Sequence, residues 1–255
     1  MNVHLSVVLY WTPDQVERTL SSYLDAGDPG GATDMTTGPG REWNGMIVPD
    51  AGTYVLDEAH KRIGFSGQHM MVSPVRGEFT RGTATIVVGV DPLASAVTAT
   101  IESASLTTHH GDRDAHLHSP DFLDVEHYTT LEFRSTGVRW QGAQDDSILA
   151  WARLRNRSPE RATVAADRVA PAEPGRFVVA GLLRIRDVTR PVELRMQYGG
   201  ARRDPYGRDI FGFHATAEID REDYGLVWNV LLETGGVLVG KKVQLEIAGE
   251  AVRQD

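Results

Sequence analysis

The chain has 255 residues, 41% of them hydrophobic and 24% charged, with a formal net charge of −9 and no cysteine. That length supports a self-sufficient core, and the acidic balance argues against a nucleic-acid partner, whose phosphates require a basic surface. Without cysteine, disulfides, thiolate metal sites and cysteine nucleophiles are excluded, and the redox compartment stays open.

From the N-terminus, residues 3–10 read as a short strand. Thr12-Pro13-Asp14 then supplies an N-cap, a proline at the first helical position and an acidic first turn. Val16, Leu20 and Leu24 recur at four-residue spacing, which predicts an amphipathic helix to about Ala26. Residues 27–45 are dense in Gly, Pro and Thr and read as a flexible linker. This divides the chain into an N-terminal extension, 1–48, and a main domain, 49–255. The apolar stretch Leu5–Trp11 has no Lys or Arg before it and no small-x-small cleavage pattern after it, so a cytoplasmic protein is expected. No run approaches the ~20 apolar residues of a membrane helix, so stable membrane insertion is not expected.

After Gly52 the hydrophobic pattern changes to period two. Ile63, Phe65, Gly67 and His69 share one face of a strand, and so do Val97, Ala99 and Ile101. Leu131 and Phe133 alternate, as do residues 177–185, 192–198, 211–219 and 243–247. Each reads as a strand with one apolar face, and turn signals such as Asp91-Pro92, Gly199-Gly200 and Asp204–Gly207 separate most of them. Helical patterns are scarce. The combination predicts an all-β, antiparallel fold, a sandwich or a closed barrel, with the strand count favouring a barrel. Residues 141–175 break the rhythm with Arg, Asp, Glu, Pro and Ala and read as a polar insertion, with a helical stretch around 148–154.

Five stretches in order carry a family resemblance: YVLDEAHKRIGFSGQHMMVSPVRGEF (54–79), SLTTHHGDRDAHLHSPDFLDVEHYTTLEFRST (105–136), VAGLLRIRDVTRPVEL (179–194), GFHATAEIDREDYGL (212–226) and GGVLVGKKVQLEI (235–247). The chain resembles the YceI-like family of polyisoprenoid-binding proteins, and the RD-x-HL-x-S-x-DF element is the most specific mark. The resemblance implies a lipocalin-like antiparallel β-barrel of about eight strands around an apolar tunnel, with a short helical lid. It departs from the family pattern at Lys61, where Ser usually follows the first His, and at Pro74, Thr129, Arg184 and Asp187. Asp187 replaces the usual turn glycine, and Asp tolerates left-handed conformations better than most residues. None of these changes removes a core aromatic.

Four of the nine histidines fall between positions 109 and 118, with Asp112, Arg113 and Asp114 among them. Zinc would accept such a set. The spacing fits no compact metal motif, however, and Arg113 would repel a cation. A lid reading fits better: Arg113, Asp114 and His116 form a polar network that holds a turn from Ala115 to Asp121 across one barrel end, with Leu117 and Phe122 pointing inward as a plug. Direct headgroup contact by these three residues is the other role open to them. No G-x-S-x-G, H-E-x-x-H, Walker-type or Rossmann glycine pattern is present, so no catalytic residue is assigned.

The function implied is binding, carriage or sequestration of a long apolar molecule, such as a polyisoprenoid, an isoprenoid quinone or a fatty amide or acid. No cofactor is expected, and homodimer formation is left open. Ile63, Phe65, His69, Met71, Phe79 and Ile101 are the expected tunnel lining from the first half of the domain. Leu117, Phe122, Phe133, Met196, Phe213 and Trp228 are the expected lining from the second. Arg76, Arg113, Lys241 and Lys242 are expected near the mouth, where they either favour an anionic or carbonyl headgroup or serve the fold alone, Lys241 and Lys242 as solvated turn residues and Arg113 engaged with Asp114. The alternatives are an enzyme or metal-binding protein using residues 109–118, and an interaction module in which residues 1–48 dock a partner.

Overall fold

A computed structural model describes residues 39–70, 72–143, 175–231 and 237–254. The strand expected at 3–10, the helices expected at 12–26 and 148–154, and Met71 lie outside the described residues. In chain order the strands are β1 (Arg41–Trp43), β2 (Met46–Val48), β3 (Gly52–His69), β4 (Ser73–Phe79), β5 (Gly82–Val88), β6 (Ala96–Glu102) and β7 (Leu106–Thr107). The helix α1 (Gly111–His118) follows, then β8 (Thr130–Ala143), β9 (Gly175–Ile185), β10 (Val188–Arg203), β11 (Asp209–Asp220) and β12 (Val239–Arg253).

Hydrogen-bonded neighbours run β12-β11-β10-β9-β8-β6-β5-β3, and the β12–β3 pairing closes the ring. The result is a closed eight-stranded antiparallel barrel, with β4 and β7 continuing outward from β3. Alternation explains the wall. Along β9, for instance, Phe177, Val179, Leu183 and Ile185 are buried while Leu182 faces solvent. Gly181 interrupts that inward row because the Phe133 ring lies over it; a Cβ there would stand 2.4 Å from Phe133 Cζ. The expected polar insertion begins where β8 ends and finishes where β9 starts, so it connects two neighbouring strands.

Two features differ from the expectation. Residues 41–48, expected in the N-terminal extension, form the β1–β2 hairpin, and its Met46 and Val48 are buried with Tyr54, Phe177, Tyr198 and Phe211. Asn44 and Gly45 supply the positive φ values that turn it. In the β9–β10 hairpin, Ile185 pairs with Val188, and Arg186 rather than Asp187 takes the left-handed conformation (φ 57°). The Arg186 side chain reaches back to the opposite loop, donating to Phe122 O (3.3 Å) and lying 5.2 Å from the Tyr128 ring centre.

The barrel therefore has two different ends. The hairpin closes one. The other is covered by α1 and its flanking turns, where Leu106, Leu123, Leu131, Tyr224 and Leu226 pack together. Arg221, 3% exposed, fixes that second end: its guanidinium donates to Gly240 O (3.0 Å), Val239 O (3.4 Å) and Leu226 O. Burial lowers the pKa of this arginine from its ordinary value, and the carbonyls satisfy its donors.

Candidate functional site

A cavity runs along the barrel interior, from Leu131 and Ile185 beneath the lid to Val48, Pro49, Pro92 and Ser95 at the hairpin end. Wall residues span Phe177 to Ile185 on β9, which at ~3.3 Å per residue and the usual barrel tilt corresponds to about 20 Å along the axis. Its volume is about 210 Å³. That exceeds the ~150 Å³ of an engineered apolar cavity that takes benzene, and its length makes it a narrow tube.

The wall is apolar throughout, with Thr83, Ser95 and Tyr198 as its hydroxyl-bearing members. Tyr198 Oη donates to Ile47 O (2.9 Å), and Ser95 Oγ accepts from Gly89 N (3.1 Å). Burial raises the Tyr198 pKa, so its hydroxyl stays protonated. Of the residues expected to line the tunnel, Ile63, Phe79, Ile101, Phe133, Met196 and Phe213 do so.

The other described residues sit elsewhere, and each correction has a packing reason. Phe65 packs on Phe79 (ring centres 5.8 Å) against the lid-end cluster. Exposed His69 stands at the outer end of β3. Leu117, Phe122 and Trp228 stop the lid end from above: His116 meets the Trp228 ring edge-on at 4.4 Å and Phe122 at 5.0 Å, with Phe122 and Trp228 5.5 Å apart. Met71 lies outside the described residues. The buried, alternating Ala84, Ile86 and Val88 on β5 also line the cavity, and their alternation was visible in GTATIVV.

Arg113, Asp114 and His116 come together on α1 as a lid and are absent from the cavity wall. Arg113 Nε donates to Thr108 Oγ1 (2.6 Å), which itself donates to Asp114 Oδ1 (2.5 Å). Asp114 accepts further from Thr108 N (2.7 Å) and Thr107 Oγ1 (2.8 Å). Burial pushes the Asp114 carboxyl up, but these hydrogen bonds and the Arg113 charge together outweigh it and hold the pKa below the ordinary value. His116 Nε2 donates to Asp121 Oδ2 (3.1 Å).

The other three clustered histidines point to separate partners. His118 Nε2 donates to Leu106 O (3.0 Å), His110 Nδ1 accepts from Arg113 N (3.4 Å), and His109 Nε2 stands 3.4 Å from Glu78 Oε1. Among the described residues, the His, Asp and Glu trio whose ligand atoms fall within 4.8 Å of one another lies elsewhere, at Asp57, His60 and Glu250. There Asp57 Oδ2 accepts from His60 Nδ1 (2.9 Å) and stands 3.9 Å from Arg208, which supplies the positive charge a cation would otherwise bring. That hydrogen bond raises the His60 pKa and lowers that of Asp57. Of the basic residues expected at the mouth, Lys241 pairs with Glu222 (2.7 Å), and Lys242 lies 3.6 Å from Glu218.

Comparison with known proteins agrees with this architecture. Residues 54–251 match the YceI-like domain. A UPF0312 protein of Staphylococcus epidermidis is 29% identical over 197 residues, covering 76% of this chain and 94% of its own. The crystal structure of BcnA from Burkholderia cenocepacia superposes with a TM-score of 0.53 at 15% identity, covering 78% of this chain and 99% of that one. A polyisoprenoid-binding domain from Saccharophagus degradans gives a TM-score of 0.52 at 11% identity, covering 80% of this chain and all of its own (100%).

Proposed function

The chain belongs to the family of YceI-like domains, and on that premise we propose that it binds and carries a long, slender apolar molecule inside the barrel. The observation that carries this reading is the cavity itself: a tube of about 210 Å³ walled by apolar side chains from all eight barrel strands. Such a wall rewards chain length, because each buried methylene contributes ~0.8 kcal/mol, and it offers little to a compact polar substrate. The likeness to a polyisoprenoid-binding domain supports the same ligand class. A polyisoprenoid, an isoprenoid quinone or a fatty acid or amide all meet the requirement. Carriage needs no catalytic group, and the polar residues of α1 act in closure. The lid and the hairpin together shield the bound chain from water.

The direct test is organic extraction of the purified protein followed by mass spectrometry, with displacement of a fluorescent prenyl analogue measured in parallel. A stoichiometric apolar compound, competing with the analogue, is expected. Finding neither an extracted compound nor analogue binding would overturn the proposal.

A further inference from the structure

Lys61 is a buried cation beside the cavity: it is not itself a wall residue, but it stands two residues from Ile63, which is. The β3–β5 ladder ends at Val55↔Thr85, and β3 takes up β4 only from Gly64. Between these points, Leu56 and Ile63 on β3 and Thr83 and Ala84 on β5 line the cavity without pairing with one another. Across the same stretch the β12 ladder passes from Gly249↔Lys61 to Ala251↔Leu56, so residues 57–60 bulge out of β3. The bulge resets the alternation. Lys61 shares its face with Ile63, a wall residue, and its side chain is 6% exposed.

The ammonium group bridges the gap. Lys61 Nζ donates to Gly82 O (2.5 Å) across the unpaired stretch, and to Glu58 Oε2 (2.6 Å) on the bulge. Gly82 leaves room for the neighbouring wall residues, because a Cβ there would lie 2.8 Å from Ile63 Cδ1. An ammonium has three N–H donors, and two have partners among the described residues. Its stem is buried and one bond is to backbone, so the charge cannot withdraw to solvent. Glu58 is different. Its side chain is 73% exposed, and an exposed carboxylate returns to water at little cost.

We propose that Lys61 is the headgroup contact of the carrier: an apolar chain enters the tube and its anionic oxygen terminus replaces Glu58 on the Lys61 ammonium. The ligand class is thereby a long-chain acid, with carboxylate and phosphate as the two forms of the same chemistry. This rests on the carrier reading above and adds the headgroup. The contact also explains why a cation stands at this position, where a purely apolar ligand gains nothing from a charge that costs free energy to bury.

The test measures displacement of a fluorescent prenyl analogue by two matched pairs, hexadecanoic acid against 1-hexadecanol and geranylgeranyl phosphate against geranylgeraniol. Wild type is expected to prefer each anion by about ten-fold, the scale of one charge-assisted hydrogen bond. Lys61→Met should abolish the preference and leave alcohol affinity within about two-fold, and Glu58→Gln should widen it by removing the competitor. Preference in the first pair alone would identify a carboxylate, and in the second alone a phosphate. Equal binding of acid and alcohol by wild type, or a preference that survives Lys61→Met, would overturn the headgroup contact while leaving the carrier reading intact. Failure of the prenyl analogue and of all four compounds to bind would instead remove the carrier reading. Should Lys61→Met not fold, an unchanged preference in Glu58→Gln overturns the proposal by itself.

Discussion

At the scale of single residues, Asp114 shows how a polar side chain fixes the lid without touching a ligand. It accepts three hydrogen bonds from Thr107 and Thr108 and lies beside Arg113, so it closes the loop that leads into α1. Asp114→Asn removes the charge and replaces one carboxylate oxygen with an NH2 donor, so the bonds from Thr107 on one oxygen and from Thr108 on the other can no longer both be accepted. The expected loss is about 2 kcal/mol at neutral pH, the scale of hydrogen bonds to a charged group, read from urea unfolding. The pH dependence has a definite sign. Because the folded-state pKa is depressed, the carboxylate stabilises fully above its unfolded value of about 3.9. That contribution disappears as pH falls through the lower folded value. The gap between wild type and Asp114→Asn should therefore stay constant from pH 7 to 5 and narrow below pH 4. A gap of the same size at pH 3 would mean the carboxylate charge is not what holds the loop.

At the scale of elements, the hairpin β1–β2 is the closure that composition conceals. Its strands are three residues each, too short for alternation to register, and they follow a Gly-, Pro- and Thr-rich stretch. Yet Gly175, at the start of β9, is a glycine because Met46 occupies the place of its side chain: a Cβ would stand 2.4 Å from Met46 Sδ. Trp43 then stacks on Phe177 (6.0 Å between centres) and meets Trp140 edge-on at 5.4 Å. Met46→Ala is expected to cost ~2–3 kcal/mol through the vacated volume and to speed ligand dissociation by loosening one end of the tube. Stopped-flow release of a fluorescent prenyl analogue reads the second effect, and an unchanged rate would show that ligand leaves elsewhere. The long strands were legible in the sequence because period two persists along them, and the inward Phe133, Met196 and Phe213 follow from it. Which end of the barrel an inward residue occupies was not legible, since alternation carries no axial coordinate. Phe65 therefore reads as lining although it packs at the lid. Lys61 was hidden for another reason: the bulge at 57–60 breaks the parity that would have placed it inward.

At the scale of the whole molecule, closure of eight strands removes the exposed edges that an open sheet would present. On the carrier reading proposed above, it also sets the ligand's dimensions. Lid and hairpin cap a tube about 20 Å long by the strand rise and tilt, so the barrel acts as a ruler. Within a homologous series of straight-chain alcohols, each added methylene should lower Kd by about four-fold, the equivalent of ~0.8 kcal/mol. The gain should continue while the extended chain fits and stop once it outgrows the tube, because further methylenes must fold back or remain in water. Thermal unfolding reports the same series independently. A ligand present at 100 times its Kd adds about 2.7 kcal/mol, which for a domain of this size raises Tm by roughly 5–10 °C. Affinity that ignores chain length would place the ligand outside the barrel. Affinity that keeps rising past the tube's length would mean that one end opens to let the chain pass, with the three-residue strands of the hairpin the shorter barrier.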